Sequence, residues 1–337
     1  MPLWKRLLNR LLELIRRYPG VIAAFGFVSG IASFILVDRQ EGVARVIAIA
    51  MLISWIWLML ENVLSRGLVR WFGFELPPPV LRYATQLIHQ ESLFFVLPFF
   101  AITTSWNSGQ ALFTGLLGAA ALVSIIDPLY YKVLAPRRWI YLAYHTLTLF
   151  AVLLTVLPLI LQLTTSQSYK LAMGAAVLLS FPSLAGVVSL KRWWRGLLVV
   201  ALALALGGAG WLLRTWVPPA TLWLTETAMT HELDGEHRTP GQAIKQVRVA
   251  ELRSQGLYAY TAISAPRGLN ERIYHIWQRP GETGDRIALD IHGGRKQGYR
   301  AWTRKQNFPD NPLGPWQVRV VTEDGQLIGI LRFRVIE

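Results

Sequence analysis

The chain of 337 residues contains no cysteine. That excludes disulfides whatever the compartment, and it removes thiolates from the possible metal ligands. A metal site would have to rest on the six histidines and the carboxylates. Acidic residues are scarce, with 20 Asp and Glu against 34 Lys and Arg and a net charge of +14. The C-terminal third lacks the short signatures of soluble enzyme chemistry. It has no G-x-S-x-G, no P-loop and no H-E-x-x-H, since His231-Glu232 has no second histidine at the required spacing. Nor does the basic N-terminal run lead into a small-residue cleavage site, so the apolar stretch that follows is expected to stay in the mature protein.

Apolar residues are abundant (53%) and concentrated in the first two-thirds of the chain. Seven apolar stretches, at about 20–37, 43–62, 83–104, 109–126, 139–162, 169–190 and 196–216, are each near the ~20 residues needed to cross a bilayer. The cations between them alternate. With the N-terminus inside, the inner segments carry 14 Lys and Arg (Lys5 to Arg17, Arg66, Arg70, Arg82, Lys132, Arg137, Arg138, Lys191, Arg192, Arg195), and the outer ones only Arg39, Arg45, Lys170 and Arg214. This is the bias of the positive-inside rule. The positive charge is therefore expected to face anionic headgroups, with no nucleic-acid ligand. An odd number of spans places residues 218–337 outside, which in a bacterium is the periplasmic side of the inner membrane. Trp106, Trp139, Trp193, Trp194, Trp211 and Trp216 fall at the predicted ends as an interfacial belt. Residues 1–18 read as a basic amphipathic helix on the inner leaflet. Gly26 and Gly30 suit close helix packing, and Pro98, Pro158 and Pro182 predict kinks.

After Pro218-Pro219 the pattern changes. Residues 218–244 read as a polar linker. From 245 to the C-terminus, short alternating runs recur: Val247–Leu252, Leu257–Ile263, Arg272–Gln278, Arg286–Ile291, Tyr299–Arg304, Trp316–Val321 and Leu327–Ile336. Asp324-Gly325 signals a hairpin between the last two. Seven short strands in about 90 residues predict an Ig-like antiparallel β-sandwich, with a small barrel as the alternative. The expected fold is thus a seven-helix membrane domain followed by an all-β domain.

Three elements in this region carry a resemblance: Tyr274-His275-Ile276-Trp277, then Tyr299-Arg300-Ala301-Trp302-Thr303-Arg304-Lys305, then Trp316-Gln317-Val318-Arg319-Val320 with the closing Asp324-Gly325 hairpin. The stretch from Val247 onward resembles an uncharacterised bacterial β-domain, number 2914 among the domains of unknown function. The helical part looks like the membrane portion of similar inner-membrane proteins. The resemblance implies a Gram-negative envelope protein and brings no activity, cofactor or catalytic residue. The loop 307–315 departs from the usual spacing.

Two constellations stand out. On the third apolar stretch Tyr83, Gln86, His89 and Gln90 form one polar stripe, and on the fifth Tyr141, Tyr144, His145 and Thr148 form another. At 1.5 Å per residue His89 and His145 lie about 9–11 Å in from the same side. Polar stripes in lipid must face protein or water. They predict either interhelical hydrogen bonding or a polar cavity serving a transporter or membrane-embedded enzyme, with haem or a metal at His89/His145 a remote variant. Glu91 lies about 200° around the helix from His89 and needs a different partner. In the C-terminal domain His275, Trp277, Arg300, Trp302, Arg304, Lys305 and Trp316 form an aromatic–basic set. This set suits either a core tryptophan rimmed by arginines or a face that binds a periplasmic protein or an envelope glycan. The leading expectation is a periplasmic recognition module on a multi-helix anchor, without enzymatic activity.

Overall fold

The computed structural model describes residues 28, 32, 46–58, 78–187 and 193–337. The expected helix over 1–18, the first apolar stretch apart from Val28 and Ala32, and most of the 63–82 connection lie outside them. The chain divides into two units, one collecting residues 1–99, 115–156 and 172–207, the other 100–114, 157–171 and 208–337.

Helices α1 (Val46–Leu58), α2 (Pro78–Thr103), α3 (Gln110–Ile125), α4 (Arg138–Leu161), α5 (Thr165–Val187) and α6 (Trp193–Leu212) follow the apolar stretches. The first unit buries Trp55, Leu93, Phe95, Val96, Leu117, Leu149 and Val152. After α3, Asp127-Pro128 breaks the helix because proline has no N–H to continue the ladder. The chain turns by 102° into a seven-residue π-helix, Pro128–Leu134.

The count of seven spans is corrected. Among the described residues two helices, Arg138–Leu161 and Gly196–Trp216, are long and apolar enough to cross a membrane, or three if the bent pair Gln110–Ile125 and Pro128–Leu134 forms one span. The physical reasons differ between stretches. Helix α2 carries Gln86, His89, Gln90 and Glu91 in succession, and α3 has 16 residues before its bend. The second stretch is helical over Val46–Leu58 among the described residues, and of the first only Val28 and Ala32 are described.

The second unit holds the strands. They are β1 (Trp223–Thr230), β2 (Leu233–Asp234), β3 (Thr239–Pro240), β4 (Gln246–Arg248), β5 (Leu257–Ser264), β6 (Asn270–Gln278), β7 (Asp285–His292), β8 (Tyr299–Lys305), β9 (Gly314–Thr322) and β10 (Leu327–Ile336). They form a three-stranded sheet, β1-β5-β8, a five-stranded sheet, β4-β10-β9-β6-β7, and the small β2-β3 pair. All described pairings are antiparallel except β4 with β10. The two larger sheets share no ladder, so the barrel alternative is set aside. One apolar core draws on both: Ala259, Ile263 and Ala301 from the smaller sheet, and Ile273, Trp277, Val318, Leu331 and Phe333 from the larger.

Two expectations fail here. The supposed linker contains β1, which pairs along its length with β5, and residues 217–222 are all buried. Its sequence hides the strand because Thr225, Glu226 and Thr227 are exposed together, breaking the period-two alternation. The run Val247–Leu252 leaves the sheet after Arg248 and becomes helix α7 (Val249–Gln255). The Glu251 carboxylate accepts a hydrogen bond from the Arg248 backbone N–H at 3.5 Å, closing its first turn.

Three helix ends belong to this same unit. At the α2–α3 turn, Gln110 Nε2 donates to the Leu327 carbonyl at 2.9 Å. At the α4–α5 turn, the Thr165 N–H and hydroxyl donate to Glu271 Oε2 at 2.7 and 3.1 Å, so a β6 carboxylate caps α5. After α6, Arg214 Nε donates to the Asp324 carbonyl at 3.0 Å, and Gln326 Nε2 to the Val217 carbonyl at 2.9 Å. The β5–β6 loop meets Gln162 at Gly268, whose φ of +83° and lack of room favour glycine: a Cβ there would lie 2.6 Å from Gln162 Nε2.

Candidate functional site

The stripes on α2 and α4 meet. His89 Nε2 and His145 Nδ1 are 3.0 Å apart, and His89 Nδ1 lies 2.8 Å from the Tyr130 hydroxyl. His89 is fully buried. Tyr141 and Tyr144 pack edge-on to its ring, and Trp55 packs against both histidines, its indole N–H donating to Ser92 Oγ at 2.9 Å. Above the pair, Gln86 Nε2 donates to Asp127 Oδ1 (2.8 Å) and to the Ser124 carbonyl (3.0 Å), and the Tyr144 hydroxyl donates to the Ala120 carbonyl (3.1 Å). Tyr83 reaches Tyr131 by an edge contact and stays outside this cluster, and Glu91 is half-buried on another side of α2.

The chemistry of Tyr130–His89–His145 follows from its donors. An N···N hydrogen bond needs one ring to donate and the other to accept. Either Tyr130 donates to His89 and His89 to His145, or every bond runs the other way. The two arrangements differ by moving one proton per link, which is the requirement for a proton wire. As for a metal, both His89 nitrogens already face neighbours. A metal between the rings would also hold the two nitrogens about 4 Å apart, at ~2 Å from each, against 3.0 Å here. Among the described residues no three His, Asp or Glu side chains form a metal-binding group.

The sequence-predicted set in the β-domain splits apart. His275 and Trp277 point into the core. His275 bonds Thr261 Oγ1 (3.2 Å) and Thr303 Oγ1 (3.0 Å), and the Trp277 indole N–H donates to the same Thr303 oxygen at 2.9 Å. Burial without a charged partner pushes the His275 pKa down to about 4. Trp316 is also core, stacked on Phe333 with its N–H on the Pro312 carbonyl. Trp302 lies half-buried on the opposite face of the smaller sheet, against Tyr260, Ala228 and Ala262. Arg304 donates to the Gln255 carbonyl and covers Tyr258, and Lys305 pairs with Asp285. Arg300 lines a cleft. It donates to the His237 carbonyl (2.7 Å) and to Gln297 Oε1 (3.0 Å), beside Arg238, Arg295 and Lys296.

Sequence reasoning missed Tyr130, Trp55 and the cleft. Asp127-Pro128 ahead of Tyr130-Tyr131 was a usable signal, because a break beside a polar stripe marks where a side chain is re-aimed, and π-helical turns cluster at functional sites. The cleft joins residues 238 and 295–300, and no sequence spacing links them.

A sequence model for a family of unknown function, DUF5924, matches residues 1–259. The chain belongs to that family. A second model, for a protein of unknown function (DUF2914), matches residues 270–335, so the C-terminal domain suggested by the H-x-W and R-x-W elements is present. The DUF5924 match ends inside β5, so the β1-β5-β8 sheet combines strands from both matched regions. No curated protein and no solved structure matches the chain.

Proposed function

We propose that this protein is a bacterial inner-membrane protein that seats a periplasmic, Ig-like recognition module on the outer ends of its membrane helices. One observation carries the reading. Three helix ends far apart in sequence, near Gln110, Thr165 and Arg214, all meet the same β-domain. Two of these ends, near Thr165 and Arg214, lie at the close of the helices long and apolar enough to cross a membrane, Arg138–Leu161 and Gly196–Trp216, and the cations at 132–138 lie at the start of the first, in line with the positive-inside rule. Every exposed large hydrophobic among the described residues except Leu313 and Ile336 lies at or before Trp216, which supports lipid around the helices and water around the β-domain. The strand orders support the Ig-like assignment. Matched to strands A, B and E of such a fold, β1-β5-β8 leaves β10-β9-β6-β7 in the places of G, F, C and C′, and Trp277 occupies the buried tryptophan position of strand C.

The test uses full-length protein in lipid nanodiscs, exposed to periplasmic extract and to purified envelope glycans, beside discs carrying a chain cut after Val217. The reading expects retention of a protein or glycan by the full chain alone. Equal retention by both chains, or none by either, contradicts it.

A second reading is favoured by the Tyr130–His89–His145 chain: a membrane-embedded transporter or enzyme that moves protons through it. It expects His145→Leu to abolish proton uptake by proteoliposomes while leaving the fold intact, and unchanged uptake would remove it.

A further inference from the structure

We infer that the basic cleft at the helix-bearing end of the β-domain binds the phosphate group of an anionic lipid headgroup. The cleft has a volume of about 330 Å³ and is lined by Arg238, Arg295, Lys296, Gln297, Gly298 and Arg300. Four of these six residues are cationic and none carries a carboxylate. Among the described residues none of the four is ion-paired. Asp234 is bound to His237 (2.7 Å), and the Glu226 carboxylate accepts from the Tyr260 hydroxyl (3.3 Å). Four unneutralised cations around one concavity repel each other unless an anion joins them. Arg300 holds the cleft in shape, since its guanidinium bridges the His237 carbonyl of the β2–β3 hairpin to Gln297. Arg238, at the end of that hairpin, takes a left-handed backbone (φ 53°) uncommon for a side chain of its kind. Arginine forks suit phosphate oxygens.

The position of the cleft selects the source of the phosphate. The loop 293–298 is fastened to the β5–β6 loop by Gly293 N–H to the Leu269 carbonyl (2.8 Å) and Gly294 N–H to the Ala265 carbonyl (3.0 Å). That loop abuts Gln162 at the end of α4. The cleft therefore opens at the end of the sheets that carries the helix ends, where Trp216 is exposed and Lys170 and Arg214 lie over Trp211. Aromatic and cationic side chains of this kind mark headgroup depth. The inference rests on the membrane reading above and adds its ligand class.

Full-length protein with the single substitution Glu236→Cys, an exposed hairpin position beside the cleft that does not line it, carrying a polarity-sensitive dye, reports on the cleft alone because the chain has no other cysteine. It is reconstituted in nanodiscs of phosphatidylcholine, with or without phosphatidylglycerol, and separately titrated in detergent with inorganic phosphate. The expected result is a dye shift that follows phosphatidylglycerol content. Adding Arg295→Gln and Lys296→Gln should weaken it roughly 30-fold, near the surface worth of two cations, while Arg295→Lys retains it. Both positions are exposed, so these variants keep the fold. No shift with phosphatidylglycerol overturns the inference. A shift with inorganic phosphate alone also overturns it, assigning the cleft to a soluble phosphate. Both faces of a nanodisc are open, so these outcomes are independent of which side the β-domain faces in the cell.

Discussion

His89 and His275 are both fully buried, yet their surroundings have opposite consequences. His275 is held by two threonine hydroxyls, groups that do not titrate in water and that tie β6 to β5 and β8 across the core. His89 is held by a histidine and a tyrosine, each able to give up or take a proton in its turn. The first histidine is a clamp between two sheets. The second is the middle of a chain along which protons can be rearranged without moving a heavy atom. Burial alone does not separate these roles, and the chemistry of the neighbours does.

The contrast predicts unequal costs. His275→Leu should destabilise the β-domain by about 3 kcal/mol, because it leaves Thr261 and Thr303 short of a partner in a dry core. His145→Leu should cost only about 1 kcal/mol, since interhelical hydrogen bonds are individually weak. Hydrogen exchange of the β5, β6 and β8 amides, compared with that of α2 and α4 in the full chain, measures both. Equal costs would break the distinction between clamp and relay.

A pH experiment sharpens it. The unfolded chain protonates His275 near pH 6.5 and the folded domain only near 4, so acidification across that window favours unfolding. Glu271 acts in the opposite direction. Burial raises its pKa to about 7, against the hydrogen bonds from Thr165, with smaller upward contributions from Glu323 and Asp324. Its share of stability is complete below about pH 4.5 and is lost as pH rises through 7. Glu271→Gln should therefore raise stability at pH 8 by about 2 kcal/mol, keeping an acceptor for Thr165 without the buried charge. It should also flatten the alkaline side of the unfolding profile while leaving the acid side, which belongs to His275, in place. An alkaline slope unchanged in the variant would show that Glu271 does not titrate there.

The smallest effect is spectroscopic. With ¹⁵N-labelled histidine, His89 and His145 should share a scalar coupling across their N–H···N hydrogen bond, absent after His145→Leu, while His275 should show none. Two uncoupled rings would remove the relay.

Much of this was legible in the sequence. The fifth and seventh apolar stretches end within a residue of the helices Arg138–Leu161 and Gly196–Trp216, because lipid-length apolar runs bounded by Trp and Arg leave little freedom. Six of the seven alternating runs became strands, and Asp324-Gly325 closes the hairpin that joins β9 and β10. The shared depth of His89 and His145 anticipated their contact. What stayed hidden depends on tertiary partners. β1 is a strand because β5 offers it an edge, Trp302 on β8 and Trp277 on β6 differ in burial because one points away from the shared core of their two sheets and the other into it, and Tyr130 is aimed at His89 by a π-helical turn. The expected linker over 218–244 illustrates the same limit. A polar composition suited a linker, but the buried residues 217–222 and the strand that follows make the β-domain begin where the helices end. A fragment starting at residue 245 would lack β1 and leave one edge of β5 unpaired.

The central claim is that the β-domain and the helix turns it grips lie on the outer side of the membrane. Single cysteines at two exposed positions test it most directly: Glu282→Cys in the β6–β7 turn and Lys132→Cys in the π-helix. Treated with an impermeant maleimide before lysis, with the outer membrane permeabilised, the account predicts labelling at 282 and protection at 132 until the inner membrane is opened. Labelling at 132 with protection at 282 would contradict it.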